Sequence, residues 1–440
     1  MTKVAVVGLG KIGLPLAALF AGKGASVIGC DTDAAVVEAV NAGRSPVGGE
    51  PGLAEAVAKA QATGALRATA DTTAAVAESD VVVIVVRVDI DDAGRVDFGR
   101  LDAAASAIAR GLRPGTLVIL ESTVPVGATR RHLGSRLQIE SGLRASAPSA
   151  LRPGSGQASS ERAFRLAYSP ERVSSGSVFR DLATYPKLVG GVDTASGEAS
   201  AAFYREMLDA EVLVLPDAET AEFAKLAEAV YRDVNIALAN ELARAAETLG
   251  VDYAAAARAA NSQPYSHLHD PGVGVGGHCI PVYPHFLLGA TEAPLVKLAR
   301  QVNDAMAVHA ADRLEVALDR GLAEKTVLIL GLAYRGGVKE AGHSSALLLA
   351  EELGRRRARV LVHDPLFEAE EIEAYGLEAG AWPPAGRVDA IVLQAMHAEY
   401  HDLDLALAKG CRVFLDGRGA FDRARVETAG MRYIGIGAGA

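Results

Sequence analysis

Cysteine is nearly missing from this sequence: three in 440 residues, Cys30, Cys279 and Cys411, far apart and odd in number. Such a set makes no disulfide framework and no zinc-ligand spacing, so no metal is expected. Long hydrophobic runs are missing too. No apolar stretch reaches the roughly 18 residues of a bilayer span, and MTKVAVVGLG enters a strand with no charged leader or cleavage site before it. The expectation is a cytoplasmic protein without membrane contact. There is no basic excess: a formal charge of -10 argues against a nucleic-acid footprint. It leaves room for a small phosphorylated ligand, which is held by local amides and a few cations.

Half of the residues are hydrophobic and 22% are charged, the balance of a globular protein with ample core, and the length suits two or three domains. Short β-branched runs alternate with Ala-rich helical segments: KVAVV (3–7), ASVIGCD, DVVVIVV (80–86), GTLVILES (115–122), RLAYS (165–169), PKLVGGV (186–192) and AEVLVLP (210–216). That alternation predicts an α/β fold with a parallel sheet and helices on both faces. From Asp217 the strand signal stops, and DAETAEFAKLAEAVYRDVNIALANELARAAETLG has helical apolar spacing up to Gly250. Helical segments continue to about residue 320, and KTVLILGLAYRGG then opens a second α/β alternation through ARVLVHDP, VDAIVLQAM and CRVFLDGRG. The domains are therefore read as 1–216, 217–320 and 321–440. The segment 141–163, rich in Ser, Gly, Pro and Ala, is read as a mobile surface loop.

Gly8-Leu9-Gly10-Lys11-Ile12-Gly13 is a GxGxxG between a strand and a helix, and Asp31 closes the second strand. The glycines admit a pyrophosphate at the helix N-terminus, and an acid at that strand end binds ribose hydroxyls. The cofactor reading is NAD, since Asp31 would repel a 2′-phosphate. GLAYRGG lacks the full glycine set, which disfavours a second dinucleotide and leaves a mononucleotide, a nucleotide sugar or a purely structural domain. In GVGVGGHCIPVYPHF (272–286), Cys279 sits in a glycine loop whose backbone can approach a ligand, whereas Cys30 and Cys411 read as core residues. His278 reads as a packing residue. Lys225 shares a helix face with Glu228 and Arg232, and Tyr265 either closes over a ligand or packs. His267 and His269 alternate without a Cys or acid to complete a metal site.

Taken in order, GLGKIGLPLA, ESTVPVGAT (121–129), YSPERV (168–173), FAKLAEAVYRDVNIALANELA and GVGVGGHCIPV resemble the nucleotide-sugar 6-dehydrogenase family over nearly the whole chain. The resemblance leans towards its UDP-N-acetylhexosamine branch. It implies an N-terminal Rossmann domain, a central long-helix segment that forms a homodimer, and a C-terminal Rossmann-like UDP-binding domain. It also implies NAD-dependent four-electron oxidation of the C6 hydroxymethyl of a UDP-sugar to the uronic acid, for polysaccharide biosynthesis. Cys279 would be the thiol, with Lys225, Glu171, Thr123 and Tyr283 around the reaction. NAD would meet Gly8, Gly10, Lys11, Ile12, Gly13, Asp31 and Thr123; the sugar nucleotide would meet Glu171, Arg172, Lys225, Arg232, Tyr265, Gly276 and Arg335.

Three positions depart from the family pattern. Ala229 stands for an asparagine four residues after the lysine, Tyr283 for an aspartate four after the cysteine, and Gly342 for an arginine in a DxRxS-like run. The alternatives left open are a UDP-glucose 6-dehydrogenase, a nucleotide-sugar oxidoreductase of altered chemistry, and a non-catalytic nucleotide-sugar-binding protein.

Overall fold

A computed structural model describes residues 1–91, 93–145, 162–319 and 321–439. The expected mobile loop lies outside these residues from 146 to 161. The chain divides into two compact units, Met1–Glu228 with His285–Thr291, and Ala229–Pro284 with Glu292–Ala440.

In the first unit the β-branched runs pair into one sheet. Its order is Val212–Val214, Lys187–Gly191, Ala163–Tyr168, Leu117–Leu120, Val81–Ile84, Lys3–Val7, Ser26–Cys30 and Leu66–Thr69, with Arg144–Ala145 beside Ala163–Tyr168. Central strands such as Val81–Ile84 and Leu117–Leu120 are buried along their whole length, which is why they read as continuous apolar runs. Lys3–Val7 has a later strand on one side and the next strand on the other. The crevice beyond its carboxyl end is thus where a doubly wound sheet takes its ligand. One expectation is corrected: the sheet is mixed, because Lys187–Gly191 runs antiparallel to Ala163–Tyr168 with Gly190 opposite Tyr168. The link 169–186 turns back at the strand ends instead of crossing the sheet, and Glu171 lies in that turn.

The second unit carries a fully parallel sheet in the order Glu378–Ala379, Arg359–His363, Thr326–Leu330, Ala390–Leu393, Val413–Asp416 and Arg432–Gly435. The helix Ala218–Leu249 is 32 residues long, and Gly250 follows it with φ +66°. That left-handed conformation ends a helix at little cost only for glycine. Between this helix and the helix Pro294–Asp304 lies a buried polar network. Arg300 donates to Asp233 at 2.6 Å, Asn303 donates to Asp233 at 2.8 Å, and Asn240 donates to Asn303 at 2.9 Å. Asn240 also accepts from Gly272 N at 2.9 Å, which fixes the start of the glycine loop on the long helix. No helix among the described residues is long and apolar enough to cross a membrane.

Removing one partner of a buried pair strands the other charge. Asp233→Ala leaves the Arg300 guanidinium, itself 5% exposed, with only the more exposed Asp304. The expected loss is about 3 kcal/mol, seen as a lower urea midpoint. An unchanged midpoint would show that the network does not support this unit.

Candidate active site

The first turn of the first unit is built as its glycines require. Gly8 has φ +97°, and its amide donates to Cys30 O at 2.8 Å. A Cβ on Gly8 would lie 2.7 Å from Val85 O, and one on Gly13 would run into the Gly8 carbonyl. Gly10 is different: nothing lies within 4 Å of where its Cβ would be, which is the open approach that a pyrophosphate needs. Ile12 precedes the helix Gly13–Gly22 and no side chain caps that helix end, so its first amides have no side-chain acceptor. Lys11 is exposed beside them. Asp31, immediately after Ser26–Cys30, accepts Leu9 N at 2.9 Å on one oxygen and Asp33 N at 3.0 Å on the other. Each oxygen keeps a lone pair for a ribose hydroxyl. These residues fit a dinucleotide.

Deeper in the same unit, Lys225 is 8% exposed, and its Nζ donates to Glu171 O at 2.5 Å and to Glu171 Oε1 at 3.1 Å. The other carboxylate oxygen of Glu171 accepts Val173 N at 3.1 Å. Arg172 pairs with Glu228 and donates to Pro186 O at 3.1 Å. The structure therefore brings Glu171, Arg172 and Lys225 together. Glu228 turns to Arg172, while Arg232, on the same helix, is exposed. Thr123 is buried in the loop after Leu117–Leu120. Its hydroxyl lies close enough to the Tyr168 hydroxyl to influence it, yet neither forms a hydrogen bond of normal geometry among the described residues. Burial, and then Glu222, Glu171 and Glu121, push the Tyr168 phenol up.

Two buried carboxylates were not singled out from sequence. Glu121 pairs with Lys187 at 2.8 Å and accepts from Tyr204. Glu222, 0% exposed, accepts Thr129 N at 2.7 Å and also Gly127 N. The available signal was an acid three residues before Lys225 on the apolar face of EFAKLAEA.

The second unit repeats the turn with another outcome. Gly331 N donates to His363 O at 2.8 Å, and Leu332 N and Ala333 N both donate to Asp364 Oδ2 at 2.8 Å. The buried His397 takes the same oxygen at 3.1 Å, so protein donors crowd this acid where Asp31 retains capacity. Arg335 is exposed, with its Nε on the Tyr334 hydroxyl at 3.1 Å.

Cys279 is half-buried in this unit, just before the helix Tyr283–Leu288, and its carbonyl accepts Tyr283 N at 2.9 Å. Cys30 and Cys411 are buried, and burial pushes their thiols up to about 12 and about 11. The glycine loop lies along 342–345. Gly277 N donates to Gly342 O at 3.1 Å, and a Cβ on Gly276 would lie 2.8 Å from Tyr334 Cβ and 2.9 Å from His343 O. Gly342 now has a physical reason: the His278 ring fills the space a Cβ would need, and His278 pairs with Glu340. Tyr265 is 93% exposed.

The family assignment follows from both units. The NAD binding domain of the UDP-glucose/GDP-mannose dehydrogenase family matches residues 2–208, its central domain 219–305 and its UDP binding domain 328–423. The chain belongs to that family. It is an NAD-dependent UDP-sugar dehydrogenase. Among its relatives is an NDP-N-acetyl-D-galactosaminuronic acid dehydrogenase of Ralstonia nicotianae, 35% identical over 96% of this chain and 97% of that one. Another is a UDP-N-acetyl-D-mannosamine dehydrogenase of Pyrococcus horikoshii, 33% identical over 99% of each. The solved structure of UDP-D-ManNAc dehydrogenase from P. horikoshii superposes with a TM-score of 0.86 at 31% identity, covering 100% of both chains. A UDP-glucose dehydrogenase from Pyrobaculum islandicum gives 0.87 at 29%, over 100% of this chain and 98% of that one.

The dehydrogenase's thiol can be tested through Gly342. Gly342→Ala forces the His278 ring aside and shifts the loop that carries Cys279. Turnover is expected to fall on the order of a hundredfold, as small misplacements of a reacting group do. Alkylation of Cys279 by iodoacetamide should change rate, while the buried Cys30 and Cys411 stay unlabelled. A wild-type rate in both assays would show that the ring moves freely.

Proposed function

We propose that this dehydrogenase carries the C6 hydroxymethyl of a UDP-N-acetylhexosamine to the carboxylate, with a covalent stage on Cys279. Two of the relatives named above, a UDP-N-acetyl-D-mannosamine dehydrogenase and an NDP-N-acetyl-D-galactosaminuronic acid dehydrogenase, support the sugar class. The observation that carries the mechanism is a half-buried thiol in a glycine loop, in a chain that also buries a lysine against a glutamate. NAD, when bound, would supply the hydride acceptor, a second NAD replacing the NADH that the first oxidation forms. Gly10 and Asp31 would hold it, and Thr123 is assigned to the reacting carbon. Lys225 is assigned to the C6 oxygen, where its cation offsets charge that develops as the bond to hydrogen breaks. Once the aldehyde forms, the Cys279 thiolate adds to its carbonyl carbon and gives a thiohemiacetal. Loss of the second hydride leaves a thioester, and water then releases the acid and the thiol. Glu171 keeps Lys225 in place, and Arg172, Arg232, Tyr265, Gly276 and Arg335 are assigned to the sugar nucleotide.

We assign the protein to three parts, 1–216, 217–320 and 321–440, which the three matched family domains support. A homodimer through the central helix is supported by Phe223, Tyr231, Leu238, Leu242 and Leu249, exposed at helical spacing along Ala218–Leu249. A UDP-sugar substrate and an NAD cofactor support a cytoplasmic location.

Two NADH per sugar is the expected stoichiometry over a panel of UDP-sugars, highest with an N-acetylhexosamine. Cys279→Ser should abolish acid production while NAD binding persists, because a serine hydroxyl is a far poorer trap for an aldehyde at neutral pH. One NADH per sugar, or acid made by the serine variant, would overturn the covalent route.

Tyr283 leads to a second test. A protonated phenol positions water but does not deprotonate it. Thioester hydrolysis is then expected to lag, with a burst of NADH and a sugar adduct on the Cys279 peptide after rapid quench. Tyr283→Asp should shrink both. Steady release without an adduct would mean that another group activates the water.

A further inference from the structure

Glu222 is the one buried carboxylate near the lysine that has no ion-pair partner among the described residues. It lies one turn before Lys225 on the helix Ala218–Leu249, and it accepts two backbone amides, Gly127 N and Thr129 N, from the loop that contains Thr123. Thr129 opens the helical segment Thr129–Gly134, so the carboxylate caps that segment from another element, where a negative charge is favoured. A single side chain thus joins the helix bearing Lys225 to the loop bearing Thr123.

We infer that Glu222 is a positioning residue for the dehydrogenase reaction, whose two carboxyl oxygens hold the Thr123 loop in register with Lys225. The inference rests on the assignment of Thr123 and Lys225 to the reaction. Its chemistry is simple. One oxygen takes Gly127 N and the other Thr129 N, whereas a glutamine has a single acceptor oxygen and keeps only one of the two amide bonds.

Charged and titratable neighbours face Glu222 from each element around it. Glu219 on the same helix opposes its charge and is itself bound by Arg130. Lys225 is committed to Glu171. The Tyr168 phenol feels Glu222 and is pushed up, and Glu121 is neutralised by a buried lysine. Burial, opposed by the Thr129 and Gly127 hydrogen bonds, pushes the Glu222 carboxyl up to about 7. The sign follows from linkage: the buried carboxyl binds its proton more tightly in place than in solvent, so falling pH favours the closed loop and rising pH through about 7 adds the cost of a buried charge that the two amides must offset.

The test compares kcat and both KM values of the wild type and Glu222→Gln at one pH. Glu222→Gln, with one acceptor, should turn over about tenfold more slowly, with both KM values within about twofold. A variant that reaches the wild-type kcat, or one that changes only KM, overturns the proposal. A second arm uses no turnover. Hydrogen–deuterium exchange of the peptide over 122–130 should be several-fold faster in Glu222→Gln than in the wild type at the same pH. In the unmodified enzyme, corrected for the intrinsic pH dependence, that peptide should be protected at pH 6 at least as well as at pH 8. Equal exchange in variant and wild type, or protection lost at pH 6 in the wild type, overturns the latch, the latter even if the variant fails to fold. If protection shifts but kcat does not follow it, the latch stands and the assignment of Thr123 and Lys225 falls.

Discussion

Burying an ammonium costs several kcal/mol unless a carboxylate and further acceptors come with it, and the interior of the first unit is arranged under that constraint. Lys225 is held by both the carbonyl and the carboxylate of Glu171, and Glu171 is oriented in turn by Val173 N. For these groups to meet, the chain must reverse after Ala163–Tyr168 instead of crossing over. That reversal is what makes the next strand antiparallel. A local irregularity in the sheet is thus the structural cost of bringing YSPERV to the helix. The same region contains a second buried pair, Lys187 with Glu121, in which the lysine comes from the returning strand and the acid from the end of Leu117–Leu120. Lys225 and Lys187 are buried there with Glu121 and Glu222, and of Glu121, Glu171 and Glu222 only Glu222 relies on amides alone among the described residues.

The two sheets show how one turn can serve different ends. Gly8 and Gly331 both have positive φ, and both amides donate to the carbonyl that ends the second strand, Cys30 or His363. In both, the following Leu amide donates to the acid after that strand, Asp31 or Asp364. The difference lies in what else each acid holds. Asp31 adds only an exposed amide two residues on, whereas Asp364 takes Ala333 N and the buried His397 as well. Acceptor capacity left over at one turn and consumed at the other separates an end that can take further donors from a self-satisfied one.

Much of this was legible in the sequence, for identifiable reasons. Strands buried on both faces, such as Val81–Ile84, announce themselves as unbroken β-branched runs, and the long helix by its period and its terminal glycine. Leu66–Thr69 escaped notice because it lies at a sheet edge with its second residue exposed, and Arg432–Gly435 because it begins exposed at the opposite edge of the other sheet. Thr123, Glu171, Lys225 and Cys279 could be singled out because they lie in contiguous motifs. Glu222 could not, since its role depends on amides 93 and 95 residues earlier in the chain.

Gly342 is the position where a reading by pattern alone goes furthest astray. Against the family pattern it looks like a lost arginine, an absence. In the fold it is occupied space: the His278 ring lies where a side chain would begin, Glu340 pairs with that ring, and Gly342 O accepts the Gly277 amide. Gly276, with Tyr334 and His343 on either side, has no more room. The loop leading to Cys279 is therefore fixed by close backbone approach on the segment after Thr326–Leu330, and interiors packed at this density answer an added methyl by moving something. Of the three departures, Gly342 is therefore tied to its surroundings: the His278 ring and its partner Glu340 occupy the space that a side chain at 342 would take.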